Sequence, residues 1–311
     1  MADDPFRRDH HVTPGAVETL APGIRAVTAE NAGPMTFTGT RSYFVGEGEV
    51  ALIDPGPDDP RHLGALMKAL GPDERITHIL VTHSHLDHSP LAPAMAALSG
   101  APVLAFGPTG AGRSEVMERL AKEPTGIGGG EGIDRAFTPD RTLADGEEVA
   151  GKGWRLRALH TPGHFSNHMC FAWEERGAVF SGDHVMGWAT TLVSPPDGDL
   201  TAFMASLAKM RARGDDRVYY PGHGAPVEAP HVLIDHIRTH REGREAAILA
   251  ALEAGPATVA DLVITIYADI DRTLHPAAGR NVLAHLIDLM ERGEVAAGDG
   301  PIGGAVFTRA A

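Results

Sequence analysis

Residues 81–90 read VTHSHLDHSP and set His83, His85, Asp87 and His88 within six positions. They follow THILV, a β-branched run of the kind that forms a strand, so these side chains fall where strand gives way to loop and helix. Groups two apart can converge there from a turning backbone. Imidazole and carboxylate are the ligands that zinc takes when cysteine is absent. A lone histidine is usually structural; four such groups in H-x-H-x-D-H spacing reverse that expectation. His83 and His85 form one pair, and Asp87 with His88 points towards a second position.

One short motif cannot saturate two metals, so more ligands are required downstream. Three candidates stand at the ends of predicted strands: His164 in LHTPGHFSNH, Asp183 in VFSGDHV and His223 in YYPGHGAP. A Pro-Gly pair precedes two of them, as a tight turn exposing a side chain requires. Asp183 follows Gly182, where close approach is easy. Five histidines and two aspartates supply about three ligands per metal plus a bridging carboxylate.

The rest of the chain narrows the setting. With 311 residues, 43% hydrophobic and 22% charged, it can bury one large core, or a large and a small one. A formal net charge of −14 gives no general attraction for nucleic acid or anionic membranes. Cys170 is the sole cysteine, which excludes an intrachain disulfide and a cysteine-based zinc cluster; in HMCFAW it reads as core. No apolar run is long enough to span a bilayer, and the N-terminus lacks the apolar centre of a signal peptide. A cytoplasmic protein without membrane attachment is the expectation.

Strand patterns recur at IRAVTAE, RSYFVGEGEVALIDPG, APVLAFG, WRLRALH, MCFAWEE, AVFSGDH and DRVYYPGH. DPRHLGALMKAL predicts a helix burying Leu63, Leu66, Met67 and Leu70, and LTAFMASLAKMRAR another helix. Mixed strands and helices with hairpins suit a layered sandwich. The glycine-rich segment 123–140 reads as a surface loop, or else a flap over a site. From about residue 232 the texture becomes helical: three helices, the first ending at Gly255, precede a short hairpin, the winged-helix pattern. Residues 235–311 carry seven Arg and no Lys against eleven Asp and Glu. Duplex binding is therefore disfavoured for this module. Packing, a wall of the substrate cleft or dimerisation remain its roles, and a homodimer is compatible with them.

THSHLDHSP with TPGH, SGDH and PGHG, in this order, resembles the metallo-β-lactamase superfamily over residues 20 to 230. The resemblance implies a four-layer αββα sandwich in residues 1–231 and a small winged-helix-like domain in residues 232–311. It also implies two divalent metal ions at one edge of the two sheets. Zinc is the expected metal, and His/Asp sites also accept iron or manganese. Carried over by position, His83, His85 and His164 would hold the first metal. Asp87, His88 and His223 would hold the second, with Asp183 bridging. Asp54 in ALIDPG matches the family's early aspartate, which supports the metal loop from behind. Within the superfamily, SPPDGDL, YYPGHG and the tail resemble the subgroup carrying a winged-helix domain, which includes an endoribonuclease.

The expected function is hydrolysis of a small-molecule ester, thioester or lactone by a metal-bridging hydroxide, with Asp87 orienting it or carrying a proton. The alternatives are a metal-dependent endoribonuclease acting on single-stranded RNA, disfavoured by charge, and a non-catalytic metal-binding partner protein. His168 can line the cleft or donate a proton, or simply begin a strand. His160 and His184 read as core or support, and His62, His78, His231, His236, His240, His275 and His285 as surface or packing residues. Of Tyr219 and Tyr220, alternation brings only one inward. Trp188 can wall the cleft or sit in the core, and Ser194 and Asp197 can border the cleft or simply belong to a Pro-rich turn.

Overall fold

The computed structural model describes residues 4–122, 130 and 132–310. Two sheets pack face to face. The first is formed by β1 (Val17–Ala21), β2 (Ile24–Thr28), β3 (Arg41–Val45), β4 (Glu49–Ile53), β5 (Arg75–Leu80), β6 (Val103–Ala105) and β7 (Arg141–Thr142), adjacent in that order. The early strands pair antiparallel, and β4 to β7 run parallel. Crossovers α1 (Pro60–Ala69) and α2 (Ala92–Ser99) join the first two of these parallel pairs, and α3 (Glu115–Leu120) lies between β6 and β7. The second sheet has the order β12 (Val218–Pro221), β11 (Ala178–Gly182), β10 (Met169–Trp173), β9 (Trp154–His160), β8 (Glu148–Gly151). Helix α4 (Leu200–Arg211) connects β11 to its parallel partner β12.

Three apolar layers make this a four-layer αββα sandwich. Tyr43, Ile53, Leu156, Phe171 and Phe180 interlock between the sheets. Phe44, Leu52, Leu66, Ile79 and Met95 fill the layer under α1 and α2. Cys170, Val179, Phe203, Leu207 and Tyr219 fill the layer under α4. Because both faces of the second sheet are covered, alternation along β12 buries Tyr220 between the sheets and Tyr219 beneath α4. The expectation that only one of the two tyrosines turns inward is corrected by that second layer.

In α1 the buried positions are His62, Leu66 and Ala69, whereas Met67 is exposed. The apolar reading passed over His62, which enters the core because its Nε2 pairs with Ser42 Oγ at 2.9 Å.

Beyond β12, α5 (Pro230–Ala254) runs unbroken across residue 231. Its first turns, with Leu233, Ile234 and Ile237, pack into the layer under the second sheet. Its last turns, with Ile248 and Leu252, enter a separate core formed with α6 (Val259–Ile266) and α7 (His275–Glu291). The wing has three strands: β14 (Val295–Ala297) and β15 (Val306–Arg309) form the expected hairpin, and β13 (Ala257–Thr258) adds to β15. Thr258 also caps α6 through a reciprocal pairing with Asp261. Among the described residues, no helix is long and apolar enough to cross a membrane.

Burial leaves an acid-sensitive weakness on α7. Burial, followed by the charges of Arg241 and His240, pushes His285 from 6.5 down to about 3. As pH falls below about 6.5 the unfolded chain takes up this proton first, so stability is full above that value and declines down to about pH 3. His285→Leu is expected to flatten the fall of Tm between pH 7 and pH 5 relative to the wild type. Parallel melting curves for the two proteins would assign the loss elsewhere.

Candidate metal centre

Four strand ends deliver the candidate residues to one edge of the sandwich. The loop after β5 carries His83 to His88, the β9–β10 connection carries His164, and the ends of β11 and β12 carry Asp183 and His223. All seven sequence candidates meet there. His83, His85, His164 and Asp183 form one group and Asp87, His88 and His223 another, the potential ligand atoms within each group lying within 4.8 Å of one another. Asp183 spans both: Oδ2 is 3.6 Å from His164 Nε2 and 3.3 Å from His223 Nε2, and Oδ1 is 3.6 Å from His88 Nε2.

The surroundings fix which ring nitrogen faces the cluster. His164 Nδ1 donates to the Leu192 carbonyl at 2.8 Å, His223 Nδ1 to the Gly39 carbonyl at 3.3 Å, and His88 Nδ1 to Asp54 at 2.9 Å. Thr82 donates its hydroxyl to Asp54 and so accepts from His83 Nδ1 at 3.0 Å. Each of these rings therefore aims an Nε2 lone pair inward. Asp54 is buried, with its backbone at φ 51°, and takes two further bonds from Thr82 at 2.7 Å each. Asp54 thus ties Thr82 and His88, at the two ends of the donor loop, together.

A cation fits this donor set. His85 Nδ1 lies 2.9 Å from His83 Nε2 and 3.1 Å from His164 Nε2, and one proton cannot serve both contacts. His88 Nε2 and Asp183 Oδ1 are buried without a hydrogen-bond partner, although each faces the cluster. The chemistry of the donors, imidazole and carboxylate, suits zinc, iron or manganese.

Electrostatics separate the two halves. Burial lowers the pKa of His83, His85 and His164, with His85 brought to about 3, so these rings are neutral donors. Burial opposes charge on His223 as well, but Asp183 and Asp87 outweigh it and raise His223 to about 9. His88 is raised for the same reason. Burial would raise Asp87 and Asp183, yet His88 and His223 hold both carboxyls well below the usual range. This half draws positive charge, whether carried by protons or by a metal.

His168 is fully buried behind the cluster and does not line the cleft. Its Nδ1 donates to Thr161 at 2.9 Å, and its Nε2 accepts from the Asp183 amide at 3.2 Å. Proton donation to a substrate is thereby excluded; His168 supports the turn that presents Asp183. His160 stacks on Phe106, and His184 is buried against Phe203.

Several supporting groups escaped the sequence reading. Thr40 Oγ1 donates to Asp87 Oδ2 at 2.9 Å, and Asn31 grips Thr40 through two bonds. Thr191 Oγ1 donates to the Asp183 carbonyl at 2.7 Å. The TFTGTR run at 36–41 offered the one signal, a small polar stretch just before a strand. Carbonyl supports such as Gly39 and Leu192 carry none.

The cluster floors a cleft of about 560 Å³. Trp188, stacked on Phe37 at 5.1 Å, forms one wall with Met35 and Met186. Tyr267, Ile270, Leu274 and Ala278 of the C-terminal module form another. Ser194 and Asp197 border it, and Asp197 pairs with Arg113. Of the glycine-rich segment, residues 123–129 and 131 lie outside the described residues. Gly130, Gly132 and Ile133 line the cleft, and Ile133 bridges to His85.

A sandwich carrying this His/Asp cluster at the floor of a cleft defines a metal-dependent hydrolase. The chain belongs to the metallo-β-lactamase superfamily, whose family model matches residues 35–223. A second model, described as a β-lactamase-associated winged helix domain, matches residues 258–303. An atrochrysone carboxyl ACP thioesterase of Aspergillus fumigatus is 33% identical over 269 residues, covering 81% of this chain and 75% of that protein. A β-lactamase-like protein 2 homolog of Drosophila melanogaster is 31% identical over 290 residues, 90% and 92% of the two chains. The crystal structure of a metallo-β-lactamase family protein from Thermus thermophilus superposes with a TM-score of 0.73 at 26% identity, covering 94% of this chain and 100% of that one.

Proposed function

We propose that this hydrolase cleaves an acyl thioester with an apolar acyl group, using two zinc ions. His83, His85 and His164 would hold one ion, and Asp87, His88 and His223 the other, with Asp183 shared. The observation that carries this reading is the cleft itself, in which the cluster forms the floor and aromatic and aliphatic side chains form two walls. Relatives named as thioesterases support the thioester. When bound, the cation pair supplies a hydrolytic water made acidic near neutral pH and a counter-charge for the developing oxyanion.

The chain's own residues orient the reaction. Asp87, anchored by Thr40 and 3.3 Å from both His88 Nε2 and His223 Nε2, faces the cleft with its side chain partly exposed. It is placed to orient the attacking water and to pass a proton to the leaving group. The apolar walls hold the acyl group and exclude water. An RNA substrate would need cations along the strand path. Among the described lining residues, Arg280 is the only Arg or Lys, so nothing in the cleft favours RNA.

Elemental analysis is expected to find two zinc ions per chain, and a panel of thioester, lactone, phosphodiester and RNA substrates to show thioester turnover. Cleavage of RNA or phosphodiesters with none of the acyl substrates would sink the proposal. Leu274→Asn tests the wall. Burying a leucine side chain is worth about 1.5–3 kcal/mol, so KM for a long-chain acyl thioester should rise about tenfold, with kcat and metal content retained. An unchanged KM would place the acyl group elsewhere.

A further inference from the structure

The loop at Thr191–Val193 belongs to the sandwich in sequence but is fastened by the C-terminal module. Arg241, on α5, donates Nη2 to the Thr191 carbonyl and Nη1 to Asn281 Oδ1 at 3.0 Å. Asn281, on α7, accepts from the Val193 amide at 3.2 Å through the same oxygen. The fastened loop in turn makes two contacts with the metal cluster. The Leu192 carbonyl accepts from His164 Nδ1 at 2.8 Å, and Thr191 Oγ1 donates to the Asp183 carbonyl at 2.7 Å.

Arg241 occupies an unusual setting for a residue that merely packs. It is 2% exposed, and its guanidinium lies 5.4 Å from the Phe203 ring centre. Its Nε has no hydrogen-bond partner, and among the described residues no carboxylate pairs with it. Removing an uncompensated cation from water costs several kcal/mol, and an apolar side chain of similar volume would avoid that cost. A planar fork can reach a carbonyl on the loop and an amide oxygen on α7 together; an apolar chain cannot.

We propose that Arg241 and Asn281 are positioning residues through which the winged-helix module holds the His164 side of the metal centre in register. The module is thus a structural part of the centre as well as a wall of its cleft. The inference rests on the two-metal reading above. It also predicts asymmetry, because the Asp87, His88 and His223 half takes its support from Thr40 and Gly39, outside the loop that Arg241 and Asn281 bond.

The test is a cobalt(II) titration of the metal-free full-length chain, followed by visible spectroscopy, with the two binding steps assigned from His164→Ala and His223→Ala. Arg241→Met and Asn281→Leu are expected to weaken the His83, His85 and His164 step by about 10- to 100-fold and to shift its visible bands, as loss of outer support does at metal sites. The other step, linked to the fastened loop through Asp183 alone, should weaken much less. Asn281→Asp, which retains the acceptor oxygen, should restore most of the loss, and Thr40→Val should weaken the opposite step. Unchanged cobalt affinities in both variants would overturn the proposal. So would equal weakening of both steps together with a large fall in Tm, or an Asn281→Asp as impaired as Asn281→Leu. Should Arg241→Met fail to fold, the Asn281 pair decides. A wild-type chain binding fewer than two cobalt ions would instead defeat the two-metal reading.

Discussion

Asp183→Asn is expected to lower kcat/KM by about three orders of magnitude, the several kcal/mol that charge stabilisation by bound metal is worth. Among the described residues, Asp183 is the one side chain whose oxygens face ring nitrogens of both groups, those of His164, His88 and His223. Asparagine preserves its shape but removes the charge that both cations would share. Burial makes the change local, since the side chain lies between the cluster and the turn held by His168 and Thr191. Elemental analysis should find fewer than two ions per chain, while Tm of the metal-free protein stays near the wild-type value. Full turnover with both ions retained would remove Asp183 from its bridging role.

Gly222→Ala is expected to impair the centre without replacing any of the seven candidate donors. A Cβ at Gly222 would lie 2.3 Å from Asp183 Oδ1 and 2.7 Å from His88 Cε1, closer than real Cβ contacts come. Both neighbours are buried and held from behind, Asp183 through its backbone and His88 by Asp54, so neither can withdraw cheaply. Displacing reacting groups by about 1 Å costs on the order of 100-fold in rate, and a comparable loss of kcat is expected here. The variant should also bind metal more weakly in the Asp87, His88 and His223 half. Steady-state kinetics with zinc titration checks both; wild-type kinetics would show that the turn yields where it is expected to be rigid.

The clustered His and Asp donors were legible because each lies within a few residues of a strand end, in a local pattern of turn and donor. Chain-local chemistry of that kind survives without knowledge of the fold. His62 shows the opposite case: the sequence left it between surface and packing, and only its pairing with Ser42 makes its burial acceptable. His168 shows another. Its place four residues after His164 allowed a role in the cleft, but the strand direction turns it behind the Asp183 amide. Tyr219 and Tyr220 alternate as expected, and both are buried because the second sheet is covered by the first sheet on one face and by α4 on the other.

By itself, the sequence determined the donor types, their order and the two-module organisation, since these depend on residue chemistry and short-range periodicity. The tertiary structure alone decided what stands behind each donor. The Gly39 and Leu192 carbonyls exist in every peptide unit and leave no mark in composition, so only their location gives them a role. Arg241 reaches Thr191 across 50 residues of chain. Nothing near Arg241 in sequence announces that contact, because it arises from packing α5 and α7 against the sandwich.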